Sequence, residues 1–206
     1  MNDATNTSTT ATTTPTTRRR LAPGEATPCP FTILIDQREQ AAFSFTGLTA
    51  DKDKKSRPLS ITKRSAFMKT GDYSLEVIGQ DGVAIALDTR IVIERKSVED
   101  LFGSVGAGRD RFEAEHERMA EIVANGGHAF VVIEGSWERI ITNPPPQCRL
   151  SPKTVWRTAI SWEQKYRVNW KAPGGRRMAE IFTFRALEKF YERWVEANKP
   201  KAAQLQ

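Results

Sequence analysis

Asp72, Glu94 and Lys96 are side chains whose types and spacing suit the hydrolysis of a phosphodiester. Glu94 and Lys96 close an apolar run, "RIVIERK", that reads as a β-strand, so alternation turns both toward one side of a sheet. Asp72 follows Gly71 at a turn between two strand-like segments, and it reaches the same spot if that turn lies beside the strand end. Carboxylates are hard oxygen ligands for a divalent ion, which neutralises a scissile phosphate and acidifies the attacking water; a neighbouring lysine orients or deprotonates that water. Two further acidic positions belong with these: Asp36, at the end of "TILI", and Asp100, on the segment after Ser97. A bare Asp…Glu-X-Lys pattern is weak, because chance matches are common.

The elements that must position these residues are legible in outline. Strands are expected at 31–35, 59–64, 73–78, 83–87, 90–94 and 128–135, and a short one at 168–172. Helices are expected at 97–103, at 109–125 with Phe112, His116, Met119 and Val123 along one face, after Ser151-Pro152, and at 176–197. The helix after Ser151 carries Val155, Ala159, Trp162 and Tyr166 on one face; the last has a wide stripe of Phe182, Ala186, Leu187, Phe190, Tyr191 and Trp194. Early strands followed by alternation with helices predict an α/β fold, a mixed central β-sheet flanked by helices on both faces. Residues 1–30 lack aromatic side chains and are rich in Thr and Pro, which predicts a disordered tail ahead of one domain over 31–197, with a short tail at 198–206.

Bulk properties narrow the class without choosing it. The 206 residues are 39% hydrophobic with net charge +6, which favours a polyanion such as nucleic acid only weakly. No apolar run approaches the roughly 20 residues of a membrane span, and the N-terminus does not read as a secretory signal. Cys29 and Cys148, with no other cysteine, support neither a disulfide framework nor a zinc cage. An intracellular location is the default: cytoplasmic in a bacterium or phage, nuclear in a eukaryote. Arg109 and Arg111, after the glycines of "GSVGAG", suit phosphate contacts at a helix start, and Arg176-Arg177 repeat that logic; solvated pairs explain them as readily. His116 reads as a packed core histidine, and Trp156, Trp162 and Trp194 as core rather than base-stacking platforms.

Gly71-Asp72-Tyr73, followed by Glu94-Arg95-Lys96-Ser97-Val98-Glu99-Asp100, resembles the GD-Xn-ERK-X3-D signature of the XPF-type (XPF/Mus/Hef) structure-selective DNA endonucleases. Asp36-Gln37-Arg38-Glu39 is similar to that family's D-X-R-E segment, and the resemblance spans roughly 31–195. It implies a restriction-endonuclease-like core, with Asp72, Glu94 and Asp100 as metal ligands and Mg2+ or Mn2+ as cofactor. It makes Lys96 the residue acting on water and Arg95 one acting on phosphate or on site geometry. Asp36, Arg38 and Glu39 would line the same cleft. The implied substrate is DNA at branched, flapped or other single-strand–duplex junctions.

Alternatives remain open at this stage. Ser97-X-X-Asp100 also fits a capping box, so Asp100 is a ligand, a cap or both, while Glu99 is expected to be turned away and solvated. Most members of the family append a helix-hairpin-helix module, and none fits after residue 197; a homodimer or a partner would then supply grip on DNA. A catalytically inactive junction-binding module, and a Holliday-junction resolvase or repair nuclease of the same superfamily, are the rival functions.

Overall fold

The computed structural model describes residues 25–51, 56–146 and 148–199. Arg18-Arg19-Arg20 and most of the Thr-rich segment fall outside these residues.

Seven strands form one mixed sheet. β1 (Thr27–Asp36) lies between β2 (Leu59–Ala66), with which it runs parallel, and β3 (Tyr73–Ile78), to which it is antiparallel. β3 leads to β5 (Ile91–Lys96), and β6 (His128–Ile133) and β7 (Asn169–Lys171) continue in parallel, giving the order β2-β1-β3-β5-β6-β7. β4 (Ala84–Ala86) pairs with the far end of β3 and is exposed throughout. β1 starts at Thr27 rather than at Phe31. Thr27 and Pro28 pair with Leu59 and Ser60, and the register shifts between Pro28 and Thr32. Proline, which has no N–H to give the ladder, is tolerated at such an irregularity.

The helices are α1 (Val98–Val105), α2 (Arg109–Ala124), α3 (Trp137–Thr142), α4 (Pro152–Tyr166) and α5 (Arg176–Ala197). α3 has no counterpart among the expected elements; Ser136 caps it by accepting from the Arg139 N–H at 3.1 Å. Pro152 opens α4 as expected, but Ser151 caps it without a side-chain hydrogen bond. α1 runs on past Gly103 to Val105.

Alternation along β5 explains the two cores. Val92 joins Leu101, Phe102, Phe112, Met119, Val131 and Trp162 under α1, α2 and α4. Ile91 and Ile93 join Phe31, Tyr73, Val132, Phe184 and Leu187 on the other face, beneath α5 and the 43–48 loop. Each fully buried large side chain of this kind contributes about 1.5–3 kcal/mol. Trp162 is core, whereas Trp156 is 40% exposed and not core, and the inner face of α5 is Ala179, Thr183, Phe184 and Leu187. Among the described residues, no helix is long and apolar enough to cross a membrane.

Candidate active site

The same alternation carries the polar end of β5. Glu94 and Lys96 continue the face of Val92, toward α1 and α2, while Arg95 continues the face of Ile93, toward α5. Lys96 contacts Glu94 and lies 4.9 Å above the Phe112 ring of α2. Arg95, on the opposite side, donates to Glu39 at 2.9 and 3.1 Å and to Glu134 at 2.9 Å, with only 9% of its side chain exposed. The guanidinium is spent on two carboxylates.

Asp72 is brought to β5 by a turn that depends on glycine. Gly71 has φ +75°, and a Cβ there would lie 3.0 Å from the Val92 side chain. The Asp72 N–H donates to the Ile93 carbonyl at 2.8 Å, and Asp72 Oδ2 accepts from the Arg95 N–H at 2.7 Å. One carboxylate is thereby stitched to the backbone of the strand that bears the other.

Asp72, Glu94, Arg95 and Lys96 line one polar cleft of about 530 Å3, together with Arg38, Glu39, Glu99, Asp100 and Arg111. Ser97 caps α1 by accepting from the Asp100 N–H at 3.0 Å, which leaves the Asp100 side chain exposed on the cleft's wall. Among the described residues, no three acidic, histidine or cysteine side chains converge as a metal cage. Of the expected triad, Glu94 is buried and Asp72 half-buried, while the Asp100 side chain is exposed on the wall of the same cleft.

Asp36 is not on the cleft lining. Its Oδ1 accepts from Arg38 N at 2.8 Å and Arg38 Nε at 2.7 Å, and its Oδ2 from Met68 N at 2.8 Å, so it acts by positioning Arg38. Arg38 projects along the cleft and over the exposed ring of Phe67, 5.3 Å away. Of Arg109, Arg111, Arg176 and Arg177, Arg111 lines the cleft, exposed at the start of α2. Arg109 donates to Thr158 at 3.2 Å and packs on Trp162. Arg176 donates to Glu134 and to the Ala41 and Ala42 carbonyls, while Arg177 donates to Glu180 and to Thr46 and Gly47 carbonyls. These three join α2 to α4 and α5 to the 41–47 loop; a contact with another element had no local signature in the sequence.

Sequence reasoning missed Glu134 and Glu115 and undervalued Glu99. Glu134 follows β6, whose parallel register sets Lys96 beside Ile133, so pairing β6 with β5 is the signal that could have found it. Glu115 sits one helical turn beyond Phe112, the ring beneath Lys96, and its charge bears on Asp72, Glu94 and Lys96. Glu99 lines the cleft although it is exposed.

The electrostatics of the cleft are unresolved by the protein itself. Burial, aided by the charge of Glu39, pushes Asp72 up to about 7 despite the Arg95 N–H. Burial and the charge of Asp72 raise Glu94 well above the usual carboxylate range. Burial alone would depress Lys96, but Glu94 more than offsets it and holds the ammonium protonated. Two carboxylates that cannot both ionise comfortably fit a divalent cation, which supplies the missing charge. Mg2+ commonly binds through one or two carboxylates and keeps several waters, so the donor set suits it without a third side chain.

The ERCC4 domain family matches residues 35–171. The chain belongs to that family. The ERCC4 domain is a DNA nuclease domain, and the restriction-endonuclease-like core expected from sequence is the fold observed. XPF from Aeropyrum pernix superposes with a TM-score of 0.50 at 14% identity, over 81% of this chain and 67% of that one. The XPF from Aeropyrum pernix solved in complex with DNA gives a TM-score of 0.50 at 15% identity, over 79% and 66%. At these identities the likeness is one of fold, and the chain spans about two thirds of those proteins. No curated protein matches the chain.

Proposed function

We propose that this ERCC4 domain is a Mg2+- or Mn2+-dependent endonuclease that hydrolyses phosphodiester bonds in DNA at branched, flap or fork junctions. The observation that carries the reading is the pair Asp72 and Glu94 set beside Lys96 on one polar cleft, where burial disfavours the ionisation of both carboxylates. A buried charge conflict of this kind costs stability and is retained where it serves chemistry. The choice of DNA rests on family membership, and on the DNA bound to one XPF of similar fold. The junction preference rests on the GD…ERK-X3-D resemblance.

Asp72 and Glu94 would hold the ion, which when bound supplies charge neutralisation and an acidified water. Lys96, fixed between Glu94 and the Phe112 ring, orients the water or a non-bridging phosphate oxygen with its ammonium. The charge of Lys96 argues against its acting as the base in this state. Arg38 and Arg111 contact flanking phosphates from the cleft's two sides, and Arg95 keeps Glu39 and Glu134 in place.

The test is to incubate the protein with flap, fork and plain duplex DNA, in Mg2+ or in EDTA, beside Asp72→Ala and Lys96→Ala variants. Cutting of the junction substrates in Mg2+ alone, lost in both variants while binding persists, supports the proposal. Tight junction binding with no cutting by the wild type would sink it in favour of an inactive binding module.

A further inference from the structure

Phe67, at 69%, is the most exposed large apolar side chain among the described residues. Arg38, which lines the catalytic cleft, lies over its ring, 5.3 Å from the centroid. The ring is exposed although its backbone is pinned on both sides. Ala66, the last residue of β2, accepts from the Gln37 N–H at 3.0 Å. The Met68 N–H donates to Asp36 at 2.8 Å, and the Met68 carbonyl accepts from Arg38 Nη2 at 2.7 Å. Trp156, the other exposed aromatic ring among the described residues, packs against Trp137 with centroids 6.0 Å apart, whereas Phe67 meets no other ring.

Arg38 is fixed in the same way. Asp36 accepts from its Nε at 2.7 Å and its Nη2 at 3.1 Å, yet the side chain stays 60% exposed and Nη1 makes none of these bonds. A flat apolar face and a cation with N–H groups to spare are thus held side by side. A protein-docking face is a contiguous apolar patch, and this is not one. Phe67 is flanked by Ala66 and the buried Met68, Lys69 is 78% exposed, and the exposed Ile78, Val83 and Ile85 lie at the far end of β3. A lone ring beside a guanidinium suits a flat π-system that carries a phosphate: a nucleobase stacks on the ring while its phosphate pairs with the arginine. In a duplex each base is already stacked on its neighbours, so an unpaired base is the one with a face to offer.

We infer that Phe67 stacks an unpaired base of the DNA strand whose phosphate Arg38 holds, and so makes the cleft prefer single-strand–duplex junctions to plain duplex. This rests on the reading of the cleft as a DNA site, but not on cleavage. Asp36 is the positioning residue, since it fixes both Arg38 and the Met68 N–H that follows the ring.

The test measures binding by the whole chain in EDTA, so that cutting plays no part. Anisotropy titrations compare a labelled fork with a plain duplex of the same sequence for the wild type, Phe67→Ala and Phe67→Trp. Because Phe67 is exposed, neither variant disturbs the core, and equal Tm values verify this. The wild type should prefer the fork. Phe67→Ala should weaken fork binding by about 5-fold or more and duplex binding by less than about 2-fold, while Phe67→Trp keeps the fork affinity. The slope of log K against log salt should be the same for all of them, because no charge is lost. A fluorescent base analogue moved along the unpaired arms should be quenched by the wild type at a defined position, and the quenching should vanish in Phe67→Ala. If Phe67→Ala keeps the wild-type fork preference, the inference is overturned and the DNA reading stands. A wild type that binds no DNA overturns both. A dimer lost in Phe67→Ala, with both DNA affinities unchanged, assigns the ring to a second copy of the chain and overturns the inference as well.

Discussion

Two groups of buried titratable side chains meet at Phe112, and the protein treats them in opposite ways. On one side of the ring, His116 is enclosed by Phe112, Trp162 and Trp170. Its Nδ1 lies 2.8 Å from the Phe112 carbonyl, and its Nε2 accepts from Trp170 Nε1 at 3.1 Å. Both ring nitrogens are satisfied by one neutral tautomer, and burial pushes the imidazole down to about 4. On the other side, Lys96 covers the same ring, while Asp72 and Glu94 share a cleft in which burial and neighbouring negative charge disfavour the ionisation of both, despite the Arg95 N–H and Lys96. Burial as such does not mark a functional site. What distinguishes the cleft is charge that the fold leaves unbalanced, where the histidine cage balances everything it buries.

The sharpest way to break this comparison is at Arg95, whose two ion pairs are the cleft's resolved part. Arg95→Met strands the charge of Glu39, 5% exposed, with only the Ala41 N–H, and leaves Glu134 to Arg176 alone; it is expected to cost about 3–5 kcal/mol in urea unfolding. A loss under 1 kcal/mol would mean that the pairs are not structural.

pH separates the two groups by the sign of their slopes. Asp72 keeps its proton in the folded state up to about 7, whereas the unfolded residue loses it near 3.8. The folded state therefore binds more protons over that window, and stability falls as pH rises through it, by up to about 4 kcal/mol. His116 is neutral when folded down to about 4, against 6.5 unfolded, so its contribution is lost as pH falls through that window, by up to about 3 kcal/mol. The slopes oppose one another in the wild type. Removing each group shifts the balance: between about pH 4 and 6.5 Asp72→Asn should lose less stability with rising pH than the wild type, since only Glu94 then opposes His116, and His116→Leu should lose more. Denaturant midpoints across pH read both signs. Mg2+ should raise Tm more at pH 8 than at pH 5, because it relieves the conflict that ionisation creates.

His116→Leu should also cost about 2 kcal/mol at pH 8, since it leaves the Trp170 N–H unpaired in the core. Asp100 gives the smallest effect. With its side chain exposed and only its N–H used by Ser97, Asp100→Asn is expected to slow cleavage by less than about 10-fold, well short of Asp72→Asn. A loss as deep as that of Asp72→Asn would make it a ligand after all.

Much of this was legible in the sequence, and the reason is periodicity. Alternation from Val92 to Lys96 carries through without a bulge, so the pairing of Glu94 with Lys96 and the turning of Arg95 to the other side could be read from one strand. The Gly71-Asp72 turn was recognisable because positive φ favours glycine. What could not be read depends on contacts between distant segments. Asp36 looks like a strand-end acid, but Arg38 and the returning chain at Met68 together take up its second oxygen. Arg176 and Arg177 look like a phosphate-facing pair until the 41–47 loop arrives to accept from them. Asp100 was ambiguous between ligand and cap, since Ser97-X-X-Asp100 fits both; the structure uses its N–H as the capped donor.

The central claim is that the unbalanced charge of the cleft is there for metal-assisted cleavage, and Asp72→Asn tests it most directly when stability and cutting are measured on one sample at pH 8. The variant keeps an oxygen for the Arg95 N–H and removes the charge. Asp72→Asn should melt above the wild type and show a fall of about 10^3-fold in Mg2+-dependent cutting of fork DNA. A variant that melts lower and still cuts at the wild-type rate would contradict it.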